Sequence, residues 1–280
     1  MKAAGLALLM ILCASAAQAQ TMRPFSTFRQ MHGETRLHLA LEYGAGALRV
    51  GPGSPNELYR MDLSYDGERF VPISDYDAAR GSVKLGLQSS GSAGVRVSSR
   101  SHLQQVASVA LSPRVDLALE LNFGAVDAEV ELGGLRVSSL ELNTGASRTA
   151  VAFSRPNATR CRRAAFSAGA AEISITGLGN SRCDEIEFDG GVGSVTLDFG
   201  GSWSASSRAK VSMAMGGLTL RLPRHLGVRI SMEKFLSSFE PAGLVRRDNG
   251  FVSANYDQTP RHLDVEITSA MGDVNIEWLD

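Results

Sequence analysis

The apolar residues of the chain fall in short pairs, two residues apart, arranged around glycines. With Gly44, Gly124, Gly145, Gly169, Gly191, Gly216 and Gly272 as origins, the positions five and three residues earlier hold Leu39/Leu41, Leu119/Leu121, Leu140/Leu142, Ala164/Phe166, Ile186/Phe188 and Val211/Met213. The positions four and six residues later hold Leu48/Val50, Ala128/Val130, Thr149/Val151, Ile173/Ile175, Val195/Leu197, Leu220/Leu222 and Ile276/Trp278. Only the last unit slips, with Val265 and Ile267 in place of the earlier pair. Period-two alternation on both sides of a glycine predicts strand, bend, strand, the glycine sitting where a Cβ would clash or need an unfavourable φ. From Gly124 to Gly216 the steps are 21, 24, 22 and 25 residues. That is too short for ankyrin, TPR or propeller repeats and suits one β-solenoid coil per unit. A lone coil cannot bury its apolar pairs, so each pair must stack on its equivalent in the next coil. An evenly spaced β-sandwich would share the alternation but not the fixed offsets around glycine.

Stacking has a chemical consequence. Cys161 lies eight residues before Gly169, and Cys183 eight before Gly191. Equivalent residues of stacked coils sit about 4.8 Å apart, within the roughly 4.4–6.8 Å Cα separation usual for disulfides. A Cys161–Cys183 disulfide is therefore predicted, contributing roughly 3 kcal/mol in the loop-entropy model. Two buried free thiols are the alternative, and zinc would need Cys or His partners that two isolated thiols lack.

The remaining segments are less regular. Residues 1–19 read as a signal peptide, with Lys2 before an apolar run and Ala17-Gln18-Ala19 as the cleavage site, leaving an exported chain of 261 residues (280 minus 19). Residues 20–35 are expected to be a flexible leader, and 36–280 a single solenoid domain with its regular coils over 114–222. Two hairpin insertions are expected, at 51–81 and 223–261, capping the open ends of the stack. In the first, Asp66-Gly67 should turn a hairpin between Met61-Leu63-Tyr65 and Phe70-Pro72. In the second, Ser231–Leu236 should make one helical turn, and Asp248-Asn249-Gly250 a tight hairpin. Two further strands are expected over 83–97.

Composition adds exclusions. A net charge of −1 gives no field for nucleic acid, and aromatics at 6% leave no girdles for an outer-membrane barrel. No later segment is apolar for long enough to cross a bilayer. The chain has no HExxH, GxSxG, P-loop or CxxC motif, and its five histidines are dispersed. Asp198-Phe199-Gly200 has the letters of a kinase DFG without its companion motifs, and Gly191-Val192-Gly193 lacks a dinucleotide site's βαβ context. The best catalytic candidates are Glu120 and Glu141, outward-facing on consecutive coils at a spacing that retaining glycosidases or a calcium site could use. Glu187 shares their column, but Ala165 interrupts it. Surface carboxylates on a solvated strand are common, so no catalytic, cofactor or metal residue is assigned.

The succession GAGALRV, LELNFGAVDAEVELGGLRVSSLELNTGA, FSAGAAEISITGLGN, GGVGSVTLDFGG, MGGLTLRLPRHLGVRI and AMGDVNIEWLD resembles the toast-rack domain family. That family includes the C-terminal domain of LiaF-type cell-wall-stress proteins and related exported adhesin-like domains. The resemblance implies a right-handed, single-stranded β-solenoid and an extracytoplasmic sensing or docking role with no catalytic residues. This chain carries a signal sequence where the LiaF type has a membrane-spanning region. The expectation is a non-enzymatic, periplasmic or extracellular envelope module that binds an envelope protein or polymer without a cofactor. A carbohydrate-active β-solenoid enzyme is the alternative.

Overall fold

The chain is an all-β solenoid. The computed structural model describes residues 22–90 and 104–280; the expected signal peptide and part of the strand pair expected over 83–97 lie outside them. The first strands in chain order are β1 (Met22–Gln30), β2 (Arg36–Pro52), β3 (Glu57–Asp66), β4 (Phe70–Asp77), β5 (Ser82–Ser89) and β6 (Val106–Leu111). There follow β7 (Asp116–Glu131), β8 (Arg136–Thr144), β9 (Arg148–Ala152), β10 (Cys161–Thr176), β11 (Cys183–Asp198) and β12 (Ser207–Pro223). The last are β13 (Gly227–Phe239), β14 (Leu244–Arg247), β15 (Gly250–Ser253) and β16 (His262–Leu279). A parallel ladder runs from β2 through β7, the pair β8 and β9, β10, β11, β12 and β16 to β13.

The apolar pairs form the two inner walls. Leu39, Leu41, Leu140, Leu142, Ala164, Phe166, Ile186 and Phe188 are at most 2% exposed on one side. Leu48, Val50, Ala128, Val130, Ile173, Ile175, Val195 and Leu197 match them on the other. Each stack adds dispersion contacts and removes apolar area from water, about 25 cal/mol per Å². Where coils turn away from the glycine corner, buried asparagines serve neighbouring backbones. Asn157 Nδ2 donates to the Val137 and Ser181 carbonyls at 2.7 and 2.9 Å, and Asn180 Nδ2 to that of Phe153 at 2.8 Å. Cys161 and Cys183 are register partners on β10 and β11 and are disulfide-bonded, with Cα atoms 4.1 Å apart.

Several expectations are corrected. Gly216 pairs with Gly193, not Gly191, so β12 enters the stack two residues out of step with the glycine alignment. Its Ala209 and Val211 are then the equivalents of Ile186 and Phe188, and Val265 and Ile267 of β16 follow them without any slip. A two-residue shift preserves which side chains face inward, and so hides in an apolar pattern of period two.

Residues 223–261 are not wholly an insertion. Gly227–Phe239 is a strand parallel to β16, and the helical turn expected at Ser231–Leu236 is absent. The helix-forming letters of SMEKFL are overridden by pairing with β16, which satisfies the same backbone groups along a ladder. The hairpin at Asp248-Asn249-Gly250 does form, between β14 and β15.

Residues 22–30 are no leader: β1 pairs antiparallel with β3 along its length. The turn at Asp66-Gly67 exists, but β3 pairs with β1 and β6 while β4 pairs with β5. It is a corner between the two walls, not a hairpin.

Candidate interaction surface

The glycine corner makes a concave feature of the described surface. Gly44, Gly124, Gly145, Gly169 and Gly191 stack from coil to coil. A Cβ on Gly124 would strike the Gly44 carbonyl, and one on Gly191 would lie 2.6 Å from the Gly169 oxygen. At Gly145 and Gly169 the corresponding approach is 3.2 Å. With no side chain at this column, the corner is hollowed into a trough of about 680 Å³ running along the solenoid axis.

Two residues before each glycine stands a polar side chain, giving the ladder Glu42–Asn122–Asn143–Ser167–Asp189 in register. Asn143 Nδ2 donates to Asn122 Oδ1 at 3.0 Å, and Lys84 Nζ is 2.8 Å from Glu42 Oε1. Beyond Asp189 the trough continues into a hollow of about 630 Å³, floored by Met213, Ala214 and Ala270 and ended by Lys234 and Phe235. Beside this second stretch runs an outward column in register, Val192–Met215–Met271–Leu236, all at least 43% exposed. The polar ladder continues along this stretch as Ser212, Thr268 and Glu233, so the corner is polar throughout and gains an apolar flank at its second end. This polar ladder went unread in the sequence, although its spacing from the glycines was there to find.

The carboxylates singled out from the sequence sit on the neighbouring outward column. Glu120 and Glu141 are register partners. Each accepts a hydrogen bond from an asparagine of its own strand, Asn122 at 3.1 Å and Asn143 at 3.3 Å. His38 Nε2 lies 3.9 Å from Glu120. The hollow beside them holds about 220 Å³ and is lined by His38, Ser139, Arg162 and Arg163 among others, with no Phe, Tyr or Trp. Glu187 is engaged elsewhere: Arg163 Nη2 donates to it at 2.5 Å, and that hydrogen bond holds its carboxyl below the usual range. Ala165 separates Glu141 from Glu187 in the ladder. Among the described residues, no group of three or more His, Cys, Asp or Glu could hold a metal ion. Buried polarity lies inside the stack instead. Burial pushes the Tyr43 phenol up, and its hydroxyl has no partner among the described residues.

Residues 17–176 match the model of the N-terminal domain of toast_rack, DUF2154. The chain belongs to the toast-rack family. Its fold recurs in the solved structure of a "putative cell adhesion protein" from Clostridium sporogenes ATCC 15579, at 15% identity and a TM-score of 0.52, covering 92% of this chain and 100% of that one. A "putative adhesin" from Bacteroides fragilis NCTC 9343 is more distant, at 8% identity and a TM-score of 0.41, covering 91% of this chain and 97% of that one. No curated protein matches. No helix among the described residues is long and apolar enough to cross a membrane. In this toast-rack chain the glycine column lets successive coils approach closely at the corner.

Proposed function

We propose that this toast-rack protein is a non-catalytic, exported module of the cell envelope that docks an extended envelope protein or polymer along its glycine-floored corner. The observation that carries the reading is the trough itself. It is linear, crosses consecutive coils, and presents one polar group per coil from Glu42 to Asp189. A repeating ladder suits a repeating or extended ligand, which can place a donor or acceptor at each coil. The walls are rigid stacked strands, so little ordering entropy opposes binding on the protein's side. The continuous ladder from β2 to β13 supports treating 36–280 as one domain. Export rests on the targeting pattern of residues 1–19 and is in line with a disulfide in the mature chain.

The test is retention of envelope components by the immobilised exported chain, compared with Ser167→Trp, which fills the trough, and Glu141→Gln, which does not. A component lost with Ser167→Trp and kept with Glu141→Gln supports docking at the corner. Shortening of envelope polysaccharide that Glu141→Gln abolishes would replace this reading with the carbohydrate-active one.

A further inference from the structure

The last coil is left open on one side. Strand β13 pairs with β16 from Gly227 to Phe239, but β15 covers its other edge only at Arg229–Ser231. From Met232 to Phe239 no described strand lies against that edge, so its outward N–H and C=O groups are free to pair. Phe235 and Leu236 stand on the same stretch, 82% and 60% exposed. The other end of the solenoid is built differently. Its outermost strands, β1 and β4, carry Pro24 and Pro72, which cannot donate to an added strand. An open edge with exposed apolar side chains at one end, and proline-blunted edges at the other, disfavour head-to-tail growth and favour a closed two-fold contact.

We infer that two copies of this chain pair head to head through the free edge of β13, antiparallel about a two-fold axis between Phe235 and Leu236. Faces match only when paired residue numbers sum to an odd value, because β13 turns its corner at Phe235–Leu236 and its inward side chains change there from Val228, Ile230 and Met232 to Ser237 and Phe239. With the axis between Phe235 and Leu236, Phe235 meets the partner's Leu236, Lys234 the partner's Ser237, and Met232 the partner's Phe239. Pairing ends before Ser231, where β15 already occupies the edge. The partner's Glu240 then arrives beside the β14–β15 hairpin. Glu240 and Arg246 are both exposed, and neither has an ion-pair partner among the described residues. The two-fold brings these opposite charges together twice. The contact closes the end of the trough's second hollow, where Lys234 and Phe235 stand, and forms whether or not the trough is filled.

Sedimentation equilibrium of the exported chain over a concentration series tests this, with circular dichroism confirming that each variant is folded. The expected result is reversible dimerisation that Phe235→Lys abolishes at an unchanged thermal midpoint. Under mild oxidation Phe235→Cys/Leu236→Cys should form interchain disulfides, and Lys234→Cys should not, since its symmetry mate lies three residues along the pair. Glu240→Lys should weaken the dimer about fivefold, as expected for two exposed ion pairs, with Arg246→Glu restoring it. A monomer at every concentration overturns the proposal. So does a dimer that survives Phe235→Lys, cross-linking by Lys234→Cys but not by Phe235→Cys/Leu236→Cys, or a monomer that instead takes up a foreign peptide strand at this edge.

Discussion

The two stretches of the axial corner solve the same packing problem with different glycines. From β2 to β11 the column is Gly44, Gly124, Gly145, Gly169 and Gly191, and at Gly145 and Gly169 a Cβ would meet the next carbonyl only at 3.2 Å. From β11 onward the column moves two residues, to Gly193, Gly216 and Gly272, with φ of 151°, 127° and 132°. There a Cβ would drive into the preceding carbonyl oxygen, and the backbone lies where side chains are disfavoured. The first stretch needs glycine for room; the second needs it for conformation and room together. Beyond the shift, positions 192, 215 and 271 carry Val, Met and Met on the surface, giving the second stretch an apolar flank beside its polar ladder.

This difference is open to direct attack by substitution. Gly216→Ala should lower stability by roughly 4 kcal/mol, combining backbone strain with overpacking, read by urea denaturation. Removing the disulfide with Cys161→Ser/Cys183→Ser should cost about 3 kcal/mol, given its separation of 22 residues. That loss would appear under oxidising but not under reducing conditions. Gly145→Ala should cost only about 1 kcal/mol, because its neighbour can yield by a few tenths of an ångström. If Gly145→Ala proved as damaging as Gly216→Ala, the distinction between the two columns would fail.

The smallest effect belongs to Glu187, whose carboxyl is held low by Arg163. A depressed folded pKa contributes stability above the unfolded value of about 4.3, lost as pH falls through the folded value. Glu187→Gln should therefore reduce stability at neutral pH by about 0.2–1 kcal/mol. The difference from the parent chain should vanish in acid.

The central coils were legible in the sequence because stacking in register repeats the same demand at every turn. The apolar pairs, the coil length and the pairing of Cys161 with Cys183 all follow from it. The ends were not legible, because nothing repeats there. Strand β16 inserts between β12 and β13, an order that no spacing encodes. The alternation in MRPFSTFRQ is masked by Pro24 and by a half-buried setting, so β1 read as a leader. Of the candidate site, the glutamates were noticed for their charge, while the ladder from Glu42 to Asp189 was passed over because its asparagines and serine carry no reactive signature.

Register underlies the trough, the exposed apolar column and the free edge alike, and one pair of engineered cysteines tests it where the glycine column shifts. Val192→Cys/Met215→Cys, examined by mass spectrometry without reduction, should form a second intrachain disulfide, since these residues are partners on β11 and β12. If Val192→Cys/Gly217→Cys bonded instead, Gly191 would be facing Gly216, and the two-residue shift on which this account depends would be wrong.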